Sequence, residues 1–305
     1  MKILVLGNSN IFKRKLYPAI SKFKKLELEL ASRRKISKNM NIHKSYKSYD
    51  FAIKTTKAKT VYISLINSEH FKWALKSLNS GKNVIVDKPL TLSLKKTKKL
   101  INIASKKKLL LSEAIVFHKH TQFKKMFSKI NLKKKTKIFC EFHIPKLEKG
   151  NFRNYKKYGG GCFYDMSSYA SSIIYLFFKN KKYLLNFKMK KNKSNINESF
   201  ELKAKSKNIY LEASFSFNSL YKNQILIYNQ NKKYFINYAF SPPINKSLKL
   251  EIFVENLKKK YHVKCAKQNV FYTYFKEVFN ILRKKKYNFF YKEIENIAKI
   301  KKKFS

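Results

Sequence analysis

Lys2-Ile3-Leu4-Val5-Leu6-Gly7-Asn8-Ser9-Asn10-Ile11-Phe12 carries an unbroken apolar stretch into a glycine and then into a segment with Leu16, Ile20 and Phe23 at helical spacing. An apolar run without alternation suits a strand covered on both faces. It is also too short for the apolar region of a signal peptide. Downstream the same alternation repeats. Leu26–Ala31, Val61–Leu65, Asn83–Val86 and Leu109–Ser112 read as strands. Asn67–Leu78 reads as a helix with Phe71, Ala74, Leu75 and Leu78 on one face, and Ser93 caps another that runs to about Lys107. Gly81 falls where a helix end takes a left-handed residue. Short strand–helix alternation predicts a parallel sheet with helices on both faces, a Rossmann-type dinucleotide-binding domain over residues 1–115.

Beyond Glu113 the rhythm changes. Lys137–His143, Phe200–Ala204, Tyr210–Ser216 and Gln224–Tyr228 are strands in succession, followed by helices near Val270–Arg283 and Phe289–Lys302. Succession predicts a largely antiparallel sheet flanked by helices, so residues 116–305 read as an α+β substrate and oligomerisation domain. The fold class is therefore α/β followed by α+β.

The formal net charge is +53, from 70 Lys and Arg against 17 Asp and Glu. Such a charge invites a nucleic-acid reading. Against it, nearly all the bases are Lys, with Arg only at Arg14, Arg33, Arg34, Arg153 and Arg283, and the lysines are scattered over every predicted helix and turn. Proteins that grip nucleic acid lean on arginine for bidentate contacts. Abundant Lys, Asn, Ile, Phe and Tyr beside scarce Gly, Pro, Ala and Trp track A/T-rich codons instead. No apolar run approaches the roughly 20 residues of a membrane span. Cys140, Cys162 and Cys265 are odd in number and far apart, which supports neither a disulfide framework nor a zinc site and fits a reducing cytoplasm.

Only six glycines occur, about a third of ordinary usage near 7%. Gly7 ends the first strand, where backbone must approach a pyrophosphate. The fingerprint that follows is degraded: Ser9 replaces the second glycine and Phe12 the third, whose bulk requires wider helix–sheet packing. Gly7, Ser9, Asn10 and Ile11 are the candidate phosphate residues, with the Ser9 hydroxyl as an added donor. At the end of the second strand, where NAD-selective sites place an acidic residue, stand Ser32 and Arg33. A hydroxyl followed by guanidinium groups suits a 2′-phosphate, so NADP(H) is favoured and NAD(H) possible.

Three further stretches carry a resemblance. Val61-Tyr62-Ile63-Ser64-Leu65-Ile66-Asn67-Ser68-Glu69-His70 precedes Gly81-Lys82-Asn83-Val84-Ile85-Val86-Asp87-Lys88-Pro89-Leu90. Glu113-Ala114 is followed by Phe117 and His120. Asn151-Phe152-Arg153 stands ahead of Gly159-Gly160-Gly161-Cys162-Phe163-Tyr164-Asp165-Met166-Ser167-Ser168-Tyr169. In order and spacing over residues 1 to about 180 the chain resembles the Gfo/Idh/MocA oxidoreductases, in the branch of glucose–fructose oxidoreductase and sugar ketoreductases. Asp87 stands where that family has Glu before its Lys-Pro.

The resemblance implies Lys88 as a catalytic lysine near the nicotinamide, with Asp165 and Tyr169 on one face of an active-site helix. It implies cofactor contacts at Leu65, Asn67, His70, Asp87, Lys88 and Glu113, and substrate contacts at His120, Arg153 and Tyr169. Reducing a sugar ketone needs a hydride and a proton. Tyr169 is the expected proton donor; a phenol's ordinary pKa near 10 is high for this work, and a neighbouring Lys88 ammonium would favour phenolate. Asp165 would hold Lys88 or a substrate hydroxyl. His120 reads equally as a structural histidine, and Cys162 as packing.

The expected activity is that of a cytoplasmic, bacterial NAD(P)-dependent oxidoreductase acting on CH–OH groups in carbohydrate metabolism. Its partner would be a sugar or nucleotide-sugar, with no nucleic acid, no membrane and no metal. A homo-oligomer would form through the second-domain sheet. A non-catalytic NAD(P)-binding member and a cyclic polyol or dihydrodiol dehydrogenase stay open as alternatives.

Overall fold

The computed structural model describes residues 1–179 and 181–304. The chain folds as two compact units, one of Met1–Ala114 with Phe271–Lys299, the other of Ile115–Val270 with the chain from Ile300 on.

The first unit is built on six strands: β1 (Lys2–Leu6), β2 (Glu27–Ala31), β3 (Lys44–Tyr46), β4 (Thr60–Ile63), β5 (Asn83–Val86) and β6 (Leu111–Glu113). Their order is β3-β2-β1-β4-β5-β6, every pair parallel. The order reverses between β1 and β4, the switch point where open α/β sheets bind ligands beyond the strand ends. Ile3, Leu4, Val5, Leu6, Val61, Tyr62 and Ile63 are fully buried, which is why these strands read as apolar without alternation.

The first helix opens at Asn10 and widens to π geometry over Phe12–Leu16 before continuing as α1 (Tyr17–Ile20). Phe12 is fully buried where a glycine would let helix and sheet close up, and the widened turn accommodates its ring. The other helices of this unit are α2 (Tyr49–Thr55), α3 (His70–Asn79) and α4 (Leu94–Lys106). The Ser48 and Ser93 hydroxyls accept from the Phe51 and Lys96 amides and start α2 and α4.

The second unit opens with α5 (Thr121–Ser128), then β7 (Thr136–His143) and α6 (Cys162–Phe178). Seven strands follow: β8 (Leu184–Lys191), β9 (Asn197–Lys205), β10 (Ile209–Ser216), β11 (Lys222–Asn229), β12 (Lys232–Asn237), β13 (Leu248–Val254) and β14 (Lys259–Cys265). They form one sheet in the order β14-β13-β12-β11-β7-β10-β9-β8, antiparallel except for the β7–β10 pair. Burial alternates along β7, β10 and β11. One face packs under α5 and α6; the other carries Phe139, Glu141, Tyr210, Glu212 and Tyr228. Among the described residues no helix is long and apolar enough to cross a membrane.

Where the sequence reading assigns all of 116–305 to the second domain, the last two helices, α7 (Val270–Lys284) and α8 (Asn288–Lys302), lie mostly in the first unit. The reason is an aromatic stripe. Tyr272 and Phe279 meet Phe23 at 4.8 and 5.1 Å, and Phe275 meets Tyr62 at 5.8 Å. The Tyr274 and Ser112 hydroxyls bond at 2.7 Å, and the Tyr291 hydroxyl donates to the Leu109 carbonyl. A parallel sheet needs both faces covered, and the chain returns to supply the cover. Phe275→Ala in the full chain should lower the free energy of urea unfolding by about 4 kcal/mol; a loss under about 1 kcal/mol would mean that this helix does not hold the sheet.

Candidate functional site

The turn after β1 is shaped by what cannot fit there. Gly7 has φ +103°, and a Cβ on it would lie 2.2 Å from the Ser64 carbonyl oxygen and 2.7 Å from Leu65 Cδ2. Its amide donates to the Ala31 carbonyl at 2.9 Å. The turn is thus wedged between the ends of β2 and β4, and only glycine allows the approach. Ser9 follows as the N-cap: its Oγ accepts the Phe12 amide at 3.0 Å. Asn10 and Ile11 supply the first helical amides, which have no partner within the helix. A cradle with no room for a side chain, next to a helix N-terminus, fits the pyrophosphate of a dinucleotide.

Proton bookkeeping then fixes a chain of donors. The Ser64 hydroxyl donates to Asp87 Oδ2 at 2.6 Å, and the Tyr62 hydroxyl donates to Asp87 Oδ1. The Ser9 and Ser64 oxygens lie 2.7 Å apart, and since the Ser64 proton is committed to the carboxylate, Ser9 donates to Ser64. The expected Ser9 hydroxyl donor therefore faces inward, and any phosphate contact in this turn falls to backbone amides. Burial pushes the Asp87 pKa up, against the Ser64 and Tyr62 hydroxyls and the charges of His70 and Lys88.

His70, expected as a cofactor contact, lies inside the first unit. It is fully buried, with Nδ1 2.7 Å from the Pro89 carbonyl oxygen and Nε2 3.0 Å from that of Leu65. Both ring nitrogens face backbone carbonyls, and the single N–H of a neutral ring donates to one of them, so the ring packs the start of α3 between the end of β4 and the turn that carries Lys88. Burial lowers its pKa, opposed by the Pro89 carbonyl and Asp87. Leu65 and Lys88 are half-buried, while Asn67 and Glu113 are buried at the ends of β4 and β6. The Gly7 turn, Asp87 and Lys88 therefore share the carboxyl edge of the sheet.

At the end of β2, Ser32 is also turned in on itself. Its Oγ donates to the Arg34 carbonyl at 2.8 Å and accepts the Arg34 amide at 3.0 Å. The expected hydroxyl contact with a 2′-phosphate gives way to a shaping role. Arg33 remains exposed, its guanidinium 5.0 Å from the centre of the Tyr49 ring, which orients the cation without neutralising it.

In the second unit the triple glycine folds the loop before α6 onto the helix start. A Cβ on Gly160 would lie 2.5 Å from the Arg153 carbonyl oxygen, and the Gly161 amide donates to that same oxygen at 2.8 Å. The loop thereby delivers Arg153, whose Nε lies 3.0 Å from Oδ1 of the buried Asp165. Arg153, expected as a substrate contact, pairs through Nε with the acid of the helix. Tyr169, one turn beyond Asp165, is walled by Phe117, Phe142 and Phe240 at 5.5–5.8 Å. His120 is buried; its Nδ1 accepts the Gln122 amide and caps α5, and burial lowers its pKa to about 4. Its role here is structural on the Nδ1 side. Lys88 stands in the first unit and Asp165 and Tyr169 in the second. Among the described residues no cluster of His, Cys, Asp and Glu could hold a metal ion.

Tyr62 and Ser64 are the residues that motif reading passed over. Their signal was a hydroxyl on alternate positions of an otherwise apolar run, next to the strand end.

Residues 1–115 match the Gfo/Idh/MocA family model, described as an oxidoreductase family with an NAD-binding Rossmann fold. An uncharacterized oxidoreductase of Rhizobium meliloti is 28% identical over 174 residues, 54% of this chain and 52% of that protein. The dTDP-3,4-didehydro-2,6-dideoxy-alpha-D-glucose 3-reductase of Saccharopolyspora spinosa is 25% identical over 179 residues, 56% of this chain and 54% of that one. These matches thus span about half the length of the curated relatives. A 3-ketoreductase from Actinomadura kijaniata, crystallised with NADP and TDP-benzene, superposes with a TM-score of 0.88 over 98% of this chain and 94% of its own, at 19% identity, a likeness of fold.

The raised pKa of Asp87 has a measurable consequence. Its favourable contribution is complete below the ordinary carboxyl pKa and is lost as pH rises through the folded value, because the folded state must then hold a buried charge. Wild-type stability minus that of Asp87→Asn, from urea unfolding, should fall between acid and neutral pH. A difference that grows with pH would show that the two hydroxyl donors outweigh burial.

Proposed function

We propose that this protein, whose residues 1–115 match the Gfo/Idh/MocA oxidoreductase family model, is an NAD(P)-dependent oxidoreductase acting on the carbonyl or hydroxyl of a sugar or nucleotide-sugar. The observation that carries this reading is the fixed edge of the first sheet. The Gly7 turn and the Asp87-Lys88-Pro89 segment are locked to each other through Ser9, Ser64 and Asp87. A phosphate cradle and a lysine held in register are what a hydride-transfer site requires of this domain.

NADP(H) is the favoured cofactor, held through backbone at Gly7, Asn10 and Ile11, with Arg33 for the 2′-phosphate. Arg33 is exposed and aimed by Tyr49, and the similar 3-ketoreductase was crystallised with NADP. When bound, the nicotinamide supplies or accepts the hydride. Lys88 Nζ then donates to the substrate oxygen, and Tyr169 Oη gives it a proton in reduction or takes one in oxidation. The Phe117, Phe142 and Phe240 wall limits the Tyr169 ring to few orientations and keeps water from its sides. Asp165 acts through Arg153, setting the loop that closes over the start of α6. A nucleotide-sugar is supported by the reductase relative, which acts on a dTDP-linked sugar.

The open face of the second-unit sheet, with the rings of Phe139, Tyr210 and Tyr228 side by side, is the proposed contact between two copies. Cys140, Cys162 and Cys265 are buried thiols, and the proposed setting is a reducing cytoplasm.

Fluorescence titration should show NADPH binding at least about tenfold tighter than NADH, with Arg33→Ala removing the preference. Equal affinities would overturn the Arg33 assignment. With a dTDP-linked 3-keto-sugar, Lys88→Met and Tyr169→Phe should each lower kcat by roughly 10²–10⁴ while NADPH affinity stays within a few-fold. Unchanged turnover in either variant would remove that residue from the chemistry.

A further inference from the structure

Asn8 lies in the Gly7 turn but contributes to none of the contacts assigned above. It is only 5% exposed. Its Nδ2 donates to the Lys35 carbonyl at 3.0 Å. That bond fixes the orientation of the amide, because a carbonyl accepts only from the nitrogen. Oδ1 is then an acceptor of defined direction, and it is buried without a hydrogen-bond partner. A native fold leaves few such acceptors unpaired, and each calls for an explanation, a donor from outside the chain being one.

The surroundings say which donor. The Asn8 side chain crosses from the phosphate turn to the loop after β2, since Lys35 follows directly on the Ser32–Arg34 turn. The far end of that loop is tied to the first helix, where the Asn41 amide donates to the Tyr17 hydroxyl at 2.7 Å. Asn8 thus stands between the cradle for a pyrophosphate and the arginine turn for a 2′ substituent. In a dinucleotide bound across such a sheet, the adenosine ribose joins those two groups.

We propose that Asn8 Oδ1 accepts a hydrogen bond from the 3′-hydroxyl of the adenosine ribose. This rests on the cofactor reading above and adds a residue to it. The 3′-hydroxyl is the choice because in NADP(H) the 2′-oxygen carries the phosphate and has no proton to give. The two recognition tasks then divide. Arg33 distinguishes NADP(H) from NAD(H), while Asn8 binds the hydroxyl that both share and contributes affinity without preference.

The test is a competition against bound NADPH, read by its fluorescence, with AMP, 2′-deoxy-AMP and 3′-deoxy-AMP as probes. On wild-type protein, 3′-deoxy-AMP should compete about tenfold more weakly than AMP, and 2′-deoxy-AMP should stay within about twofold of AMP, because a site built to bond a hydroxyl rejects the analogue lacking it. In Asn8→Ala the penalty on 3′-deoxy-AMP should vanish, and NADPH and NADH should weaken by the same factor. The wild-type comparison stands without the variant, so poor folding of Asn8→Ala does not blunt it. If NADPH binds but 3′-deoxy-AMP competes as well as AMP, the Asn8 assignment falls and an internal water satisfies Oδ1. If wild-type protein binds no NADPH, the cofactor reading itself fails and takes this one with it.

Discussion

A single carboxylate at the end of β5 holds the first unit's working edge together. Asp87 accepts from Tyr62 on its own neighbouring strand and from Ser64 just beyond it, and Ser64 in turn orders Ser9, which caps the first helix. Through two hydroxyls, those of Ser64 and Ser9, the charge reaches from the Lys88 turn to the phosphate turn. Buried charges are expensive unless their acceptor sites are filled. Here the cost is met by donors that come from exactly those elements whose spacing matters, so the residue that is hardest to bury is also the one that sets the geometry. His70 completes the arrangement from the other side by spanning the Leu65 and Pro89 carbonyls.

The fold was legible because the strands of the first unit are covered on both faces and those of the second on one. That difference appears directly as unbroken apolar runs in one half and alternation in the other. The expected strands at 137–143, 200–204, 210–216 and 224–228 all fall inside observed ones. The return of α7 and α8 to the first unit was not legible, because an amphipathic helix shows that it has an apolar face and not which sheet it covers. The site divides in the same way. Gly7 could be read, since its role is the absence of a side chain. Ser9, Ser32, His70 and Arg153 could be placed near the right turns but not given the right partners. A polar group's role depends on which way it points, and a hydrogen bond to a residue tens of positions away leaves no periodic trace.

Acidic residues are scarce in this chain, and several are used inside it. Glu29 is buried and accepts from the Tyr46 and Thr56 hydroxyls, Asp165 pairs with Arg153, and Asp87 anchors the sheet edge. The net charge of +53 is therefore a property of the surface more than of the interior. Compositional drift toward lysine is tolerated where side chains reach water and stops where a carboxylate has a structural partner.

The split of the first unit between the two ends of the chain bears on how the protein comes into being. The sheet strands are made first, but the aromatic stripe of Tyr272, Phe275 and Phe279 that rests on Phe23 and Tyr62 is made last. At a synthesis rate of roughly 5–20 residues per second, the nascent sheet waits on the order of ten to forty seconds for its cover. During that interval its apolar flank is open to chaperones and to neighbouring chains, and the growing polypeptide makes the sheet of its second unit before the cover of its first.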